Sequence, residues 1–405
     1  MSHSKILVYS LTTSYVRSVN AKLSSFVHNL NKELTKQGID VKVITPHSKN
    51  ALTREIMDSV IIKRFRYLPE NYEINSGSIP DAISTSKLGF IRVGIMVLGF
   101  FISTFFECLG KKPNILHGHW AFPGGFVAFI MSKIFSKKFI VSIHGSDIAM
   151  LKKFKFLKNI VINSLNKSSC VIANSNFTKN EMMSLGVKSE KIIKINVPPN
   201  FVNHTSDANF LGQFRNKFVS PDKKIILFVG RLVEVKGIEY LIRALKEIEA
   251  IDPHLIIVGE GILLTQLQNL TRSLGLESKV TFYGGANHEE LGWLYDISDV
   301  FVLPSVEDSK GTIEGLGLVV VEAMESGLPV IGTSLGGILD TIKHEKTGLL
   351  VKQKDPVEIA KAIERVMLDD NLRKKLIKNS KEIVKEFSPE IIAKQYYNIF
   401  QKIVS

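Results

Sequence analysis

Cysteine is scarce in this chain: Cys108 and Cys170 are the only two among 405 residues, and they form no C-x-x-C pair. That excludes a disulfide framework and a thiolate zinc site, and it fits a reducing, cytoplasmic setting. The opening MSHSKILVYS lacks a basic start, a long apolar core and a small-residue cleavage site. It reads as a first strand rather than a secretory leader. Acidic charge is sparse in the first half: residues 1–200 hold 27 Lys and Arg against 11 Asp and Glu, a balance of +16. The remainder holds 25 against 28, so the chain's net +13 is confined to one half. No helix-turn-helix, finger or RNA-platform motif accompanies this charge, which argues against nucleic acid as the partner.

What is present is apolar and alternating. A 45% hydrophobic and 22% charged composition lets each of two domains, about 200 residues apiece, bury its own core. Short β-rich runs recur between helical stretches. In the first half they are KILVYS, VKVITP, NILHGH, FIVSIHG, CVIANS and KIIKINV. In the second they are KIILFVG, HLIIVGEG, VTFYGG, VFVLPS, PVIGTS and GLLV. Helices are expected over SSFVHNLNKELTKQG, closing on Gly38, and over Ile238–Ala250 and Pro356–Leu368. Continuous apolar strands alternating with helices imply parallel sheets covered on both faces. The alternation happens twice, interrupted by the Pro/Asn-rich and then polar stretch around 196–218. The expected architecture is α/β, with two facing Rossmann-like doubly wound domains at 1–203 and 204–385. A C-terminal helix at 386–405 packs back toward the first. Ligands of such sheets bind beyond the carboxyl ends of the strands, so an interdomain cleft is where chemistry is expected.

Two segments of the first half point toward a surface. Within Leu88–Cys108, the uncharged run Val93–Phe106 is 14 residues long, short of the roughly 20 needed to span a bilayer. It suits a buried helix or membrane-surface contact. Met131–Lys167 carries eight lysines and a single acid, Asp147. Its Lys/Phe/Leu mixture suits an anionic lipid surface, an anionic substrate or a solvated helix face.

Four features of the second half converge on a phosphate-and-sugar site. FVGRLVEVKG presents Arg231 and Lys236 after a strand and before a helix at Gly237. Two fixed cations beside free backbone N–H groups suit a diphosphate. IIVGEG and VTFYGG end strands in glycine, which lets a flat base or a phosphate approach the backbone. EGLGLVVVEAMESG sets Glu314 before a helix expected to begin near Gly317–Leu318, with Glu322 a turn inside it. One carboxylate can accept from hydroxyls of a bound sugar and the other from a ribose, with the positive helix end between them. GTSLGG adds Thr333, Gly336 and Gly337, which either close the site or simply join strand to helix. In the first half, ILHGHWAFPGG and SIHGSDI put His117, His119 and His144 at strand ends. His117 and His119 lack a third and fourth ligand at metal spacing.

FVGRLVEVKG, VTFYGGANHEELGWLYDISDVFVLPS and EGLGLVVVEAMESGLPVIGTSLGGILDTI together resemble the retaining GT-B glycosyltransferases of family four, whose mark E-x₇-E is met by Glu314 and Glu322. The resemblance implies that Arg231 and Lys236 bind the donor diphosphate, that Glu322 holds the ribose and that Glu314 contacts the transferred sugar near the reacting carbon. It implies that the backbone of Gly317, Leu318 and Val319 meets the phosphates and sugar. It further implies that His144 of HGSD touches the transferred sugar and that Asp147 lies in or near the acceptor pocket; His119, from its place at a strand end, is either a further cleft residue or a packed one. The chain departs from the family where a Gly-Gly turn usually follows the first strand. Ala21-Lys22 stands there instead, leaving Arg17 or Lys22 to supply side-chain charge.

The resulting expectation is a retaining, metal-independent hexosyltransferase without a cofactor. It moves a sugar from a nucleoside diphosphate donor to a hydroxyl on a glycan or lipid-linked acceptor. Polysaccharide biosynthesis at the cytoplasmic, peripheral face of an anionic membrane fits the charge. A soluble sugar or sugar-phosphate synthase, a nucleotide-sugar epimerase and a non-catalytic sugar-nucleotide binder are the competing readings.

Overall fold

A computed structural model of the chain describes residues 5–16, 25–74, 88–153, 155–200 and 207–405. The chain divides into two compact units, Met1–Pro198 with Ser388–Ser405, and Pro199–Phe387.

The first unit is built on eight strands: β1 (Leu7–Leu11), β2 (Asp40–Pro46), β3 (Arg54–Met57), β4 (Val60–Phe65), β5 (Ile115–His119), β6 (Lys138–Ile143), β7 (Cys170–Ala173) and β8 (Ile192–Lys194). They lie in the order β3-β4-β2-β1-β5-β6-β7-β8, parallel except for β3 against β4. β1, β5 and β7 are buried along their whole length, which is why they show no alternation of apolar with charged residues. The order reverses direction between β1 and β5, so the carboxyl ends of β1 and β5 flank a topological switch point.

The hairpin β3–β4 is not among the strands expected from the sequence. Its turn uses Asp58 and Ser59, both at positive φ (48° and 65°). A two-residue turn without glycine gives little signal in a sequence. The helix Ser25–Lys36 ends as expected before Gly38, at φ 86°. Ile392, Ala393, Tyr396 and Phe400 of the C-terminal helix Pro389–Val404 are buried in one cluster with Val27, Leu30 and Leu34 of that helix. Two helices at opposite ends of the sequence, Ser25–Lys36 and Pro389–Val404, are thus folded into one core.

The second unit holds six parallel strands: β9 (Ile225–Val229), β10 (His254–Val258), β11 (Val280–Gly284), β12 (Val300–Leu303), β13 (Val330–Thr333) and β14 (Leu349–Val351). Their order is β11-β10-β9-β12-β13-β14, with the switch point between β9 and β12. The helix expected over 238–250 stops at Ala244. The backbone N–H groups of Glu249 and Ala250 donate instead to the Glu364 carboxylate, at 2.8 and 2.7 Å. Pro356–Leu368 is helical as expected, opened by Asp355, whose side chain accepts from the Glu358 N–H at 2.9 Å.

Candidate active site

In the second unit the loops after β9, β12 and β13 meet. After β9, a short turn at Glu234–Lys236 leads into Gly237, at φ 60°. A Cβ on Gly237 would sit 2.1 Å from the Pro304 carbonyl oxygen, just beyond β12. Only glycine lets the two loops touch. The contact is fixed by the Val306 N–H, which donates to the Val235 carbonyl at 2.9 Å.

This register brings the Lys236 ammonium onto the Glu314 carboxylate, to which it donates a hydrogen bond within a half-buried ion pair. Burial pushes the Glu314 carboxyl up. The charge and hydrogen bond of Lys236, the charge of the exposed Arg231 and the Gly317 N–H outweigh it and hold the group below its ordinary range. Gly317, at φ 75°, opens the helix Leu318–Glu325. The groups assigned from sequence to the donor phosphates therefore gather around one carboxylate.

Behind Glu314 stands the GTSLGG loop. The Gly337 N–H donates to the Glu314 carbonyl at 2.9 Å. A Cβ on Gly336 would meet that carbonyl at 2.4 Å, and one on Gly337 would meet the Gly315 carbonyl at 1.9 Å. These glycines clamp the main chain at Glu314. Thr333 is fully buried, and its hydroxyl donates to the Ser305 carbonyl at 2.6 Å, so it joins strand ends rather than facing a ligand. Gly259 and Gly261 likewise serve packing between loops. A Cβ on either would strike the carbonyl oxygen of Gly230 (1.9 Å) or Leu232 (2.3 Å).

Glu322 is 8% exposed. One carboxylate oxygen accepts from the Asn200 N–H at 3.1 Å and the other from the Tyr295 hydroxyl at 3.2 Å. Burial pushes its pKa up to about 7 against both bonds. Each carboxylate oxygen has two lone pairs, so acceptor capacity remains. Asn200 and Tyr295 were not found from the sequence, because nothing in the local pattern signals bonds spanning 122 and 27 positions.

In the first unit, His117 and His119 end β5 and His144 follows β6. His117 and His119 are fully buried, with ring centroids 4.1 Å apart. His119 Nδ1 lies 3.2 Å from His144 Nε2, and those two rings stack at an 8° interplanar angle. Trp120 and Phe26 pack on His144, each with its ring centroid at 4.9 Å. Burial pushes His117 and His144 down to about 3, and His119 well below its ordinary value. Neighbouring imidazoles add to the effect at His117 and His119. His117 Nε2 lies 2.8 Å from the Ser142 hydroxyl, which lies 3.0 Å from that of Tyr396 on the C-terminal helix.

Asp147 is 2% exposed and accepts from the Ala121 N–H at 2.5 Å and the His144 N–H at 2.8 Å. It braces the loops that carry His144, and it does not present an open carboxylate. Burial pushes it up to about 6 against its backbone hydrogen bonds. Among the described residues, no three His, Cys, Asp or Glu side chains are placed to share a metal ion. Arg17, Lys22 and the Ala21-Lys22 departure lie outside the described residues.

Comparison with known proteins decides the family. Residues 212–383 match the model for glycosyl transferases group 1 and residues 23–205 that for glycosyltransferase family 4. An uncharacterized glycosyltransferase of Methanocaldococcus jannaschii is 34% identical, over 96% of this chain and 97% of its own length. The chain belongs to the group 1 glycosyltransferases. The N-acetyl-alpha-D-glucosaminyl L-malate synthase of Bacillus anthracis is 29% identical to this glycosyltransferase, over 73% of this chain and 76% of its own. The two units have the GT-B fold. Anabaena HepE, solved in complex with UDP and glucose, superposes with a TM-score of 0.76 at 18% identity, covering 98% of this chain and all of its own.

Proposed function

We propose that this glycosyltransferase moves a sugar from a nucleoside diphosphate donor to a hydroxyl of a lipid-linked glycan or glycolipid, with retention at the anomeric carbon and without a metal. The observation that carries the donor half is the gathering of Arg231, Lys236 and the Gly317 N–H at Glu314. In this reading Arg231, Lys236 and the backbone of Gly317, Leu318 and Val319 take the diphosphate, Glu314 orients the transferred sugar and Glu322 anchors the ribose. The UDP complex of HepE supports a nucleotide donor.

The bond between the anomeric carbon and the donor phosphate oxygen breaks as the bond to the acceptor oxygen forms on the same face. The acceptor's proton passes to the departing phosphate oxygen. Negative charge then grows on the diphosphate, and fixed cations and N–H dipoles stabilise it without reorganising. His144, neutral and packed between Phe26 and Trp120, offers the sugar a polar contact that carries no charge.

Two buried free thiols and the +16 first half support work at the cytoplasmic face of an anionic membrane. The malate-synthase relative favours a second reading, transfer to a small soluble acceptor. A thermal-shift panel of UDP-, GDP- and ADP-sugars tests the donor, since a ligand selective for the folded state raises its apparent stability. No shift with any of the three defeats the reading. The anomeric configuration of the product, read by NMR, tests retention.

A further inference from the structure

The helix Gly89–Gly110 has two opposite faces, and both are apolar. Met96, Phe100 and Cys108 point into the first unit's core, in one cluster with Leu7, Tyr9 and Phe65, and Val93 is buried as well. Gly99 lies so close to that core that a Cβ there would meet Phe65 and Tyr67 at 3.2–3.3 Å. On the far side stand Ile91, Ile95, Leu98, Ile102, Phe106 and Leu109, each between 37% and 62% exposed. Their spacing of three and four residues makes one stripe along the helix, about 27 Å long at 1.5 Å per residue.

The helix has two charged residues, and both are engaged away from this stripe. Arg92 stacks over the Tyr72 ring at 5.9 Å. Glu107 pairs with Lys42 on β2 and Lys63 on β4, with Arg54 at 4.0 Å. Phe101 and Phe105 seat the neighbouring helix Phe126–Phe135, with ring centroids at 6.1 Å to Phe126 and 5.5 Å to Phe135. That neighbour exposes Ile134, at 53%, and Lys133. Lys111 and Lys112, also exposed, follow the helix end.

We infer that this stripe is a docking face for an anionic lipid surface, in which the helix lies flat at the interface with its core-facing side retained by the protein. The helix is long and apolar enough to cross a membrane. Crossing would strip Met96, Phe100 and Cys108 from the core they share with β1 and β4, so it rests on the surface instead. Charge selects the occupant. A second copy of this chain would bring another +16 half against the first. An anionic headgroup layer attracts that charge while the acyl boundary takes the six apolar side chains. This deepens the reading of a lipid-linked acceptor, and it is tested with no sugar present, so either idea can fail alone.

The test is co-sedimentation of the full chain with phosphatidylcholine vesicles, with and without phosphatidylglycerol. Wild type should bind the anionic vesicles and lose most of that binding at high salt, by roughly fivefold for each cation screened. The triple variant Leu98→Gln, Ile102→Gln, Phe106→Gln changes only exposed positions, so its unfolding midpoint should match wild type. Its vesicle affinity should fall by about tenfold or more for each side chain replaced. A Leu98→Trp probe should shift its emission to the blue on anionic vesicles. Unchanged binding in the triple variant overturns the inference. So does a wild-type dimer that the triple variant abolishes while neither protein binds vesicles.

Discussion

Lys236 and Glu314, 78 positions apart, form an ion pair with Arg231 and the Gly317 N–H at the same carboxylate. Two cations thus face one carboxylate, and in the proposed function a donor diphosphate competes with Glu314 for them. In the proposed role Lys236 meets the developing charge, so Lys236→Ala should lower kcat by about 10²–10³-fold. Glu314→Gln should also lower turnover sharply while donor affinity, read by thermal shift, is kept or increased. Wild-type turnover in either variant removes this assignment.

The glycine clamp behind Glu314 predicts a site-specific loss. Gly337→Ala places a Cβ 1.9 Å from the Gly315 carbonyl, so the Glu314 main chain must move. Activity should collapse although neither glycine touches the donor through a side chain. Gly212→Ala is the contrast, because it is exposed within the helix Ala208–Arg215 and a Cβ there meets nothing within 4 Å. It should leave activity unchanged and stabilise by up to about 1 kcal/mol. Circular dichroism and turnover on both variants separate the cases.

Glu322 makes stability depend on pH in an unusual direction. Its folded pKa of about 7 lies above the ordinary 4.5, so between these values the folded state holds a proton that the unfolded chain has released. Its contribution is present below about 4.5 and is lost as pH rises to about 7. Glu322→Gln removes that loss. The variant's melting temperature relative to wild type should rise from pH 4.5 to pH 7 and level off above it. A flat difference over this range contradicts the buried, proton-holding carboxyl.

The three imidazoles of the first unit have the opposite sign. His117, His119 and His144 are pushed below 6.5, so the unfolded chain takes up protons that the folded one refuses. Their contribution is whole above about 6.5 and is lost as pH falls toward 3. Nitrogen-15 spectra of labelled histidine should show these three rings neutral at pH 5. Protonation near pH 6.5 would contradict the burial that holds them.

Tyr396 ties the last helix to this cluster. Tyr396→Phe removes the hydroxyl bonded to Ser142, which in turn bonds His117, leaving the buried Ser142 hydroxyl a partner short at a cost of about 1–3 kcal/mol. Denaturant unfolding should report that loss, and the nitrogen-15 signal of His117 should shift.

Several elements were legible from the sequence because one local rule sufficed. The helix opening at Gly317–Leu318, the stop before Gly38 and the continuous strands such as β9 and β12 follow from glycine's freedom and from burial on two faces. β3–β4 was hidden because its Asp58-Ser59 turn carries no glycine. The helix at Ile238 was overestimated because Glu364, far along the chain, draws off the backbone of Glu249 and Ala250. The bracing bonds of Asp147 and Thr333 are illegible for a related reason, since a polar residue at a strand end looks the same whether it faces a ligand or braces a neighbouring loop.

The amino-acid order by itself determined the periodicities, and hence two doubly wound sheets with charged and glycine-rich loops at their carboxyl ends. Tertiary structure alone decided which partners the polar groups find within the fold: Glu322 with Asn200 and Tyr295, Asp147 with Ala121 and His144, Lys236 with Glu314. The physical reason is that hydrogen bonds and ion pairs form by proximity in space, and a sequence specifies proximity only within a turn or two of each residue.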